Sequence, residues 1–182
     1  MGSKVRGWDH YWIMPSLGIP RYETALLYPG TCLIEGTNLS EGRGTADPFA
    51  IIGAPFIQAE PFCRAFNELN CPGVTATPVY FTPTTSKHQG TLCGGIHLHI
   101  TDEKALEPVS LGVKLLDLLR QMYPADFRFL DPFREGGKPF ISLLAGHREF
   151  ESPDWDAEKL LARYAAESEA FRSRKAPYEI YP

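Results

Sequence analysis

The 182-residue sequence contains few of the features that usually reveal a function. It has only four cysteines, Cys32, Cys63, Cys71 and Cys93, and no pair at CxxC spacing, which excludes a zinc knuckle and a disulfide scaffold. Spacing alone leaves open a Cys63–Cys71 bond in an oxidising compartment. No apolar run is long enough to cross a bilayer. The opening "MGSKVRGWDHYW" lacks the apolar centre of a secretory signal. There is no surplus of positive charge. The net charge of −4 argues against a nucleic-acid partner, because phosphate neutralisation needs an excess of Lys and Arg. "GRGTAD" lacks the third glycine and the following helix of a dinucleotide fingerprint, and there is no GxxxxGK phosphate loop. Internal repeats and low-complexity tracts are also missing. What remains is ordinary globular usage, 43% hydrophobic and 22% charged, in a chain long enough to bury a sizeable core.

The pattern along the chain predicts an α+β domain: a mixed, largely antiparallel central sheet with helices packed on it, in one domain. Residues 1–20, with Pro15, Gly18 and Pro20, read as an extended lead-in, tag-like at Met1–Lys4 and otherwise a truncated interdomain segment. Residues 21–182 form the domain. Pro29-Gly30 predicts a turn into a short strand at Cys32–Ile34. Phe62, Ala65, Phe66 and Leu69 give a helical period over Ala59–Leu69. Val74–Thr82 reads as a strand with a defect at Pro78. Leu92–Thr101 alternates, with Ile96, Leu98 and Ile100 on one face and Cys93, His97 and His99 on the other. The apolar stripe of Pro108–Tyr123, running from Val109 to Met122 and stopped by Pro124, is a helix. "PFISLLAG" predicts a short helix closed by Gly146. Ser152 is placed as the N-cap of a helix reaching about Arg172, and "APYEIYP" as a final extended segment.

Four groups of residues could carry chemistry. The stretch Glu35–Thr45 holds Glu35, Asn38, Ser40, Glu41, Arg43 and Thr45 among glycines. Carboxylates, an amide and hydroxyls suit the vicinal hydroxyls of a sugar, and an arginine suits a carboxylate. The same residues also make a solvated turn with local side-chain bonds, and spacing alone does not separate the two readings. His97 and His99 share a strand face, with Asp102 nearby as a weak third ligand. Without a partner to complete a shell they read as ordinary imidazoles, and no metal or other cofactor is expected. Ser86, Lys87 and His88 lie in a glycine-bounded connection between strands, where function concentrates, although a plain polar hairpin explains them as well. The aromatic residues of "WDHYW", with Tyr80 and Phe81, read mainly as core.

The quoted pieces also resemble a known family. "MPSLGIPRYETALLYPGTCLIEGTNLSEGRGTADPFAIIGAPFI", then "FTPTTSKHQGTLCGGIHLHITD", "LLAGHREF" and the closing tyrosine are similar to the NamZ-type exo-β-N-acetylmuramidases, a bacterial family long described as a domain of unknown function. The resemblance runs from about Trp8 to Tyr181. It implies a C-terminal domain, with a Rossmann-like N-terminal partner domain that this chain lacks and a cleft between the two. It implies hydrolysis of terminal N-acetylmuramic acid from the non-reducing end of peptidoglycan fragments, and a periplasmic or secreted setting. Glycoside hydrolysis uses two carboxyl groups, for which Glu35 and Glu41 are the candidates in this chain. Arg43 is then the candidate partner of the lactyl carboxylate. Asn38, Ser40 and Thr45 would bind the sugar, with Lys87 and His88 lining the same cleft. The alternative is a non-catalytic cell-wall sugar-binding or interaction module.

Overall fold

The computed structural model describes residues 11–180. Trp8, Asp9 and His10 of the "WDHYW" stretch, and the closing Tyr181, lie outside them. The described residues form five helices and a three-stranded sheet. The helices are α1 (Tyr22–Thr31), α2 (Ala59–Glu68), α3 (Pro108–Met122), α4 (Phe140–Ala145) and α5 (Ala157–Lys175). The strands are β1 (Ile51–Ala54), β2 (Val74–Phe81) and β3 (Cys93–Ile100), in the order β1-β3-β2, with both pairings antiparallel. The α+β class therefore holds.

The sheet follows from alternation. Ile96 and Leu98 are buried on the face covered by α2, whose Phe62 and Phe66 pack inward at helical spacing. Pro78 causes no defect. It lies on β2, an edge strand where proline is tolerated, and keeps register opposite Ile96 of β3. Leu111, Leu115, Leu116 and Leu119 fix the buried face of α3, whereas Val109 is 41% exposed and turns away from the core. Gly146, at φ 78°, ends α4 in the left-handed conformation expected after a helix.

Four local expectations are corrected. Pro29-Gly30 does not turn the chain. The helix continues through Pro29 and tightens into a 3-10 turn, Cys32–Gly36, where a strand was expected. The reason lies in packing: a Cβ on Gly30 would stand 1.7 Å from the Pro108 carbonyl oxygen, so the glycine permits α1 and α3 to touch backbone to backbone. Ser152 does not cap α5. Asp156 does, accepting from the Lys159 amide at 3.0 Å. The residues between are pinned in a non-helical path by Arg120, which donates to the Pro153 carbonyl at 2.8 Å and stacks 4.7 Å from the Trp155 ring. The helix then reaches Lys175, and Ala176–Tyr178 forms a 3-10 turn where an extended segment was expected. Cys63 and Cys71 are free thiols, both buried, with Cys63 Sγ directed at the Ala76 carbonyl. Within the lead-in, Ser16–Ile19 closes a tight turn through a 3.0 Å backbone bond. Among the described residues no helix is long and apolar enough to cross a membrane.

Candidate functional site

The 3-10 turn Cys32–Gly36 delivers Glu35, and the following chain is laid along the sheet edge. Ser40 exchanges two backbone hydrogen bonds with Gly53 of β1, at 2.8 and 3.1 Å. Gly42, at φ 80°, presses against the Ile51 carbonyl, and a Cβ there would stand 2.5 Å from it. The loop closes on itself when the Phe49 amide donates to the Glu41 carbonyl at 2.6 Å. Phe49 is buried at φ 64°, a conformation that is costly for a non-glycine residue. It supports the site: the Arg43 guanidinium lies 5.0 Å over its ring, and Tyr28 meets the ring edge-on at 4.8 Å.

Two carboxylates and two cations converge here. Arg43 reaches Glu35 Oε1 through Nε at 3.1 Å and Nη2 at 2.5 Å, and Glu41 Oε1 through Nε at 3.2 Å. Lys87 Nζ stands 2.9 Å from Glu41 Oε2. Exposure separates the acids: the Glu41 side chain is 3% exposed, that of Glu35 16% and that of Arg43 41%. Burial works against the Arg43 charge, but the hydrogen bond to Glu35 and the fields of Glu35 and Glu41 outweigh it and raise the pKa. Burial pushes the Lys87 ammonium below the ordinary lysine value, against the opposing pull of Glu41. Burial, then the charge of Glu35, raises the Tyr28 phenol.

The other expected ligands have structural partners. Asn38 donates from Nδ2 to the Asp126 carbonyl at 2.9 Å and accepts from the Arg128 amide at 3.1 Å, which fastens the 126–128 segment to the loop. Ser40 is buried and its Oγ accepts from the Gly42 amide. Thr45 Oγ1 donates to the Gly42 carbonyl at 2.6 Å. Lys87 does line the acid pair, but it also donates to the carbonyls of Ile34, Glu35 and Thr37, and His88 Nε2 lies 2.7 Å from the Asn38 carbonyl.

Sequence reasoning missed Asp47. Its buried carboxylate takes both Arg21 and His97 on Oδ2, the latter at 2.7 Å. Its position in the same polar stretch, four residues after Arg43, was the available signal. His97 and His99 lie 4.4 Å apart, and His99 bonds to Thr77 at 2.9 Å. Asp102 instead caps its own turn by accepting from the Lys104 amide. Among the described residues no three His, Cys, Asp or Glu side chains gather at metal-binding spacing. A separate apolar groove of about 710 Å³ between α1, α3, α4 and α5 is lined by Leu33, Val109, Leu144, Leu161 and Phe171, and by no residue from 35 to 45.

Fold and loop together define an α+β domain with an arginine-bridged carboxylate pair on its sheet edge. The family described as "Exo-beta-N-acetylmuramidase NamZ, C-terminal" matches residues 26–181, and the chain belongs to it. Peptidoglycan beta-N-acetylmuramidase NamZ of Bacillus subtilis (strain 168) is 49% identical over 118 residues, which is 65% of this chain and 28% of that protein. Crystal structures of two DUF1343 family proteins from Bacteroides fragilis NCTC 9343 share the fold. One superposes with a TM-score of 0.81 at 22% identity, covering 94% of this chain and 45% of its own. The other has a TM-score of 0.57 at 27% identity, covering 93% and 44%. The chain thus spans less than half the length of these relatives.

Proposed function

We propose that residues 21–182 are a C-terminal domain that forms one wall of a sugar cleft, in a glycoside hydrolase that releases terminal N-acetylmuramic acid from the non-reducing end of peptidoglycan fragments. The observation that carries this reading is the convergence of Glu35 and Glu41 on Arg43, in a chain that belongs to a muramidase family. Glu35, the more exposed acid, is the one that meets substrate. Glu41 holds the two cations in place. Arg43, whose side chain is 41% exposed, is the cation that would meet the lactyl carboxylate.

A preceding Rossmann-like half supplies the opposite wall. Exposed apolar residues support this: Ile13 and Leu17 are 85% and 86% exposed, on the lead-in whose Gly18 backs onto Arg43. The test is release of N-acetylmuramic acid from a chromogenic glycoside by the full-length polypeptide. Glu35→Gln should lower kcat by about 100-fold or more if the carboxyl group acts in proton transfer. Full activity in this variant removes Glu35 from the mechanism.

One observation favours a second reading, a non-catalytic sugar-binding module. Each acid is already paired with a cation, Glu35 with Arg43 and Glu41 with Lys87, an arrangement that suits a fixed polar surface for a sugar. Calorimetry with a muropeptide separates the two: the module binds without turnover in the full-length polypeptide.

A further inference from the structure

Ser86 and His88 both adopt left-handed backbone, at φ 68° and 59°, although neither is glycine. Such strain persists only where the surroundings enforce it, and it clusters at functional sites. Here it aims Lys87 and His88 at one target. Lys87 Nζ donates to the carbonyls of Ile34 at 3.1 Å, Glu35 at 3.3 Å and Thr37 at 2.9 Å. His88 takes the Asn38 carbonyl at 2.7 Å. The remaining carbonyl of this run, Gly36, accepts from the Leu130 amide at 2.9 Å. The backbone that carries Glu35 is therefore held at every carbonyl from 34 to 38. Lys87 also stands 2.9 Å from Glu41 Oε2, so one ammonium ties the backbone of one acid to the side chain of the other. Its three N–H donors are all engaged, and its side chain is 23% exposed.

We propose that Lys87 and His88 are positioning residues for the Glu35–Glu41 pair, a clamp that fixes where the two carboxylates stand, and not ligands of the sugar. This rests on the glycoside hydrolase reading of the site. The charge of Lys87 matters as well as its shape. Two carboxylates, Glu35 on the 3-10 turn and Glu41 on the loop after it, face two cations, Arg43 and Lys87. Loss of the Lys87 proton leaves the two acids with one guanidinium between them and loosens the clamp. Burial already favours that loss, so activity should fall at alkaline pH as the Lys87 proton leaves, with the Tyr28 phenol and Cys32 thiol as the other alkaline-titrating groups beside Glu35.

The experiment uses the full-length polypeptide and a chromogenic N-acetylmuramic acid glycoside. Lys87→Met should lower kcat by roughly 10- to 100-fold and change KM by less than about threefold, as misplaced catalytic groups do. Lys87→Arg should keep measurable activity and move the alkaline limb to higher pH, because a guanidinium does not deprotonate. A rise in KM with kcat intact would make Lys87 a sugar ligand and overturn the proposal. An alkaline limb unmoved in Lys87→Arg would overturn it too. If Lys87→Met does not fold, His88→Ala, which severs only the Asn38 contact, must show the same kcat loss at steady KM; unchanged kcat there overturns the clamp. Amide exchange over residues 34–41 is read in parallel. Faster exchange in Lys87→Met supports the clamp and unchanged exchange refutes it, even if the wild-type polypeptide releases no N-acetylmuramic acid and the glycosidase reading itself fails.

Discussion

Replacing Glu41 with glutamine should destabilise the chain far more than the same change at Glu35. Glu41 is 2% exposed and lies between Arg43 at 3.2 Å and Lys87 at 2.9 Å. Removing one member of a buried ion pair costs about 3–5 kcal/mol, because the surviving charge stays buried without compensation. Two features bring Glu41→Gln to the lower end. Lys87 keeps three carbonyl acceptors, and Arg43 keeps Glu35 and is 41% exposed. A loss of about 3 kcal/mol follows, which for a chain of this size lowers Tm by about 6–12 °C. Glu35→Gln frees only the solvent-accessible Arg43, which still holds Glu41, so its cost is about 1 kcal/mol. Urea titration of the two variants and the parent, with the slope m checked for constancy, reads the difference directly. Equal losses in the two variants, or a Glu41→Gln variant within about 0.5 kcal/mol of the parent, would refute the division into a buried organising acid and an accessible one.

Gly112→Ala should also destabilise. Its Cβ would stand 2.4 Å from the Gly30 carbonyl oxygen and 2.8 Å from the Gly30 Cα, both rigid backbone. Overpacking of about 3 kcal/mol outweighs the roughly 1 kcal/mol gained in helix propensity, and a more stable variant would contradict the close α1–α3 contact. Stability should fall on acidification below pH 6.5. Burial lowers the pKa of His99, helped by His97, and burial likewise lowers that of His147. The unfolded chain therefore takes up protons first, and stability rises with pH through that window. The drop in Tm between about pH 7 and 5 should shrink in His147→Gln, and an identical drop would dispose of its contribution. In the full-length polypeptide, Arg43→Ala should raise KM more for the muramic than for the glucosamine glycoside, and equal effects would exclude lactyl recognition.

The parts of the fold legible in the sequence were those written in periodicity. The β3 alternation, the α3 stripe and the α2 spacing turn the residues the pattern selects toward the core, with Ala65, Leu69, Ile100 and Met122 half-buried and Val109 exposed. What failed was punctuation. Pro29-Gly30 signals a turn locally, yet a glycine is needed there for contact with a helix some eighty residues later, which no local pattern encodes. Ser152 and Asp156 are rival caps of equal local quality, and Arg120 with Trp155 decides between them. At the site, residue type drew attention to Glu35, Glu41, Arg43 and Lys87, which do come together. It did not reveal direction: Asn38, Ser40 and Thr45 turn to backbone partners. Asp47 was hidden because its partners Arg21 and His97 are distant in sequence.

The most direct test of the proposed function is the steady-state release of N-acetylmuramic acid by the full-length polypeptide, measured for the parent, Glu35→Gln and Glu41→Gln at a temperature where all three are folded. The account predicts turnover by the parent and a kcat lowered by about 100-fold or more in Glu35→Gln, without a comparable loss of stability. Wild-type kcat in Glu35→Gln would contradict it.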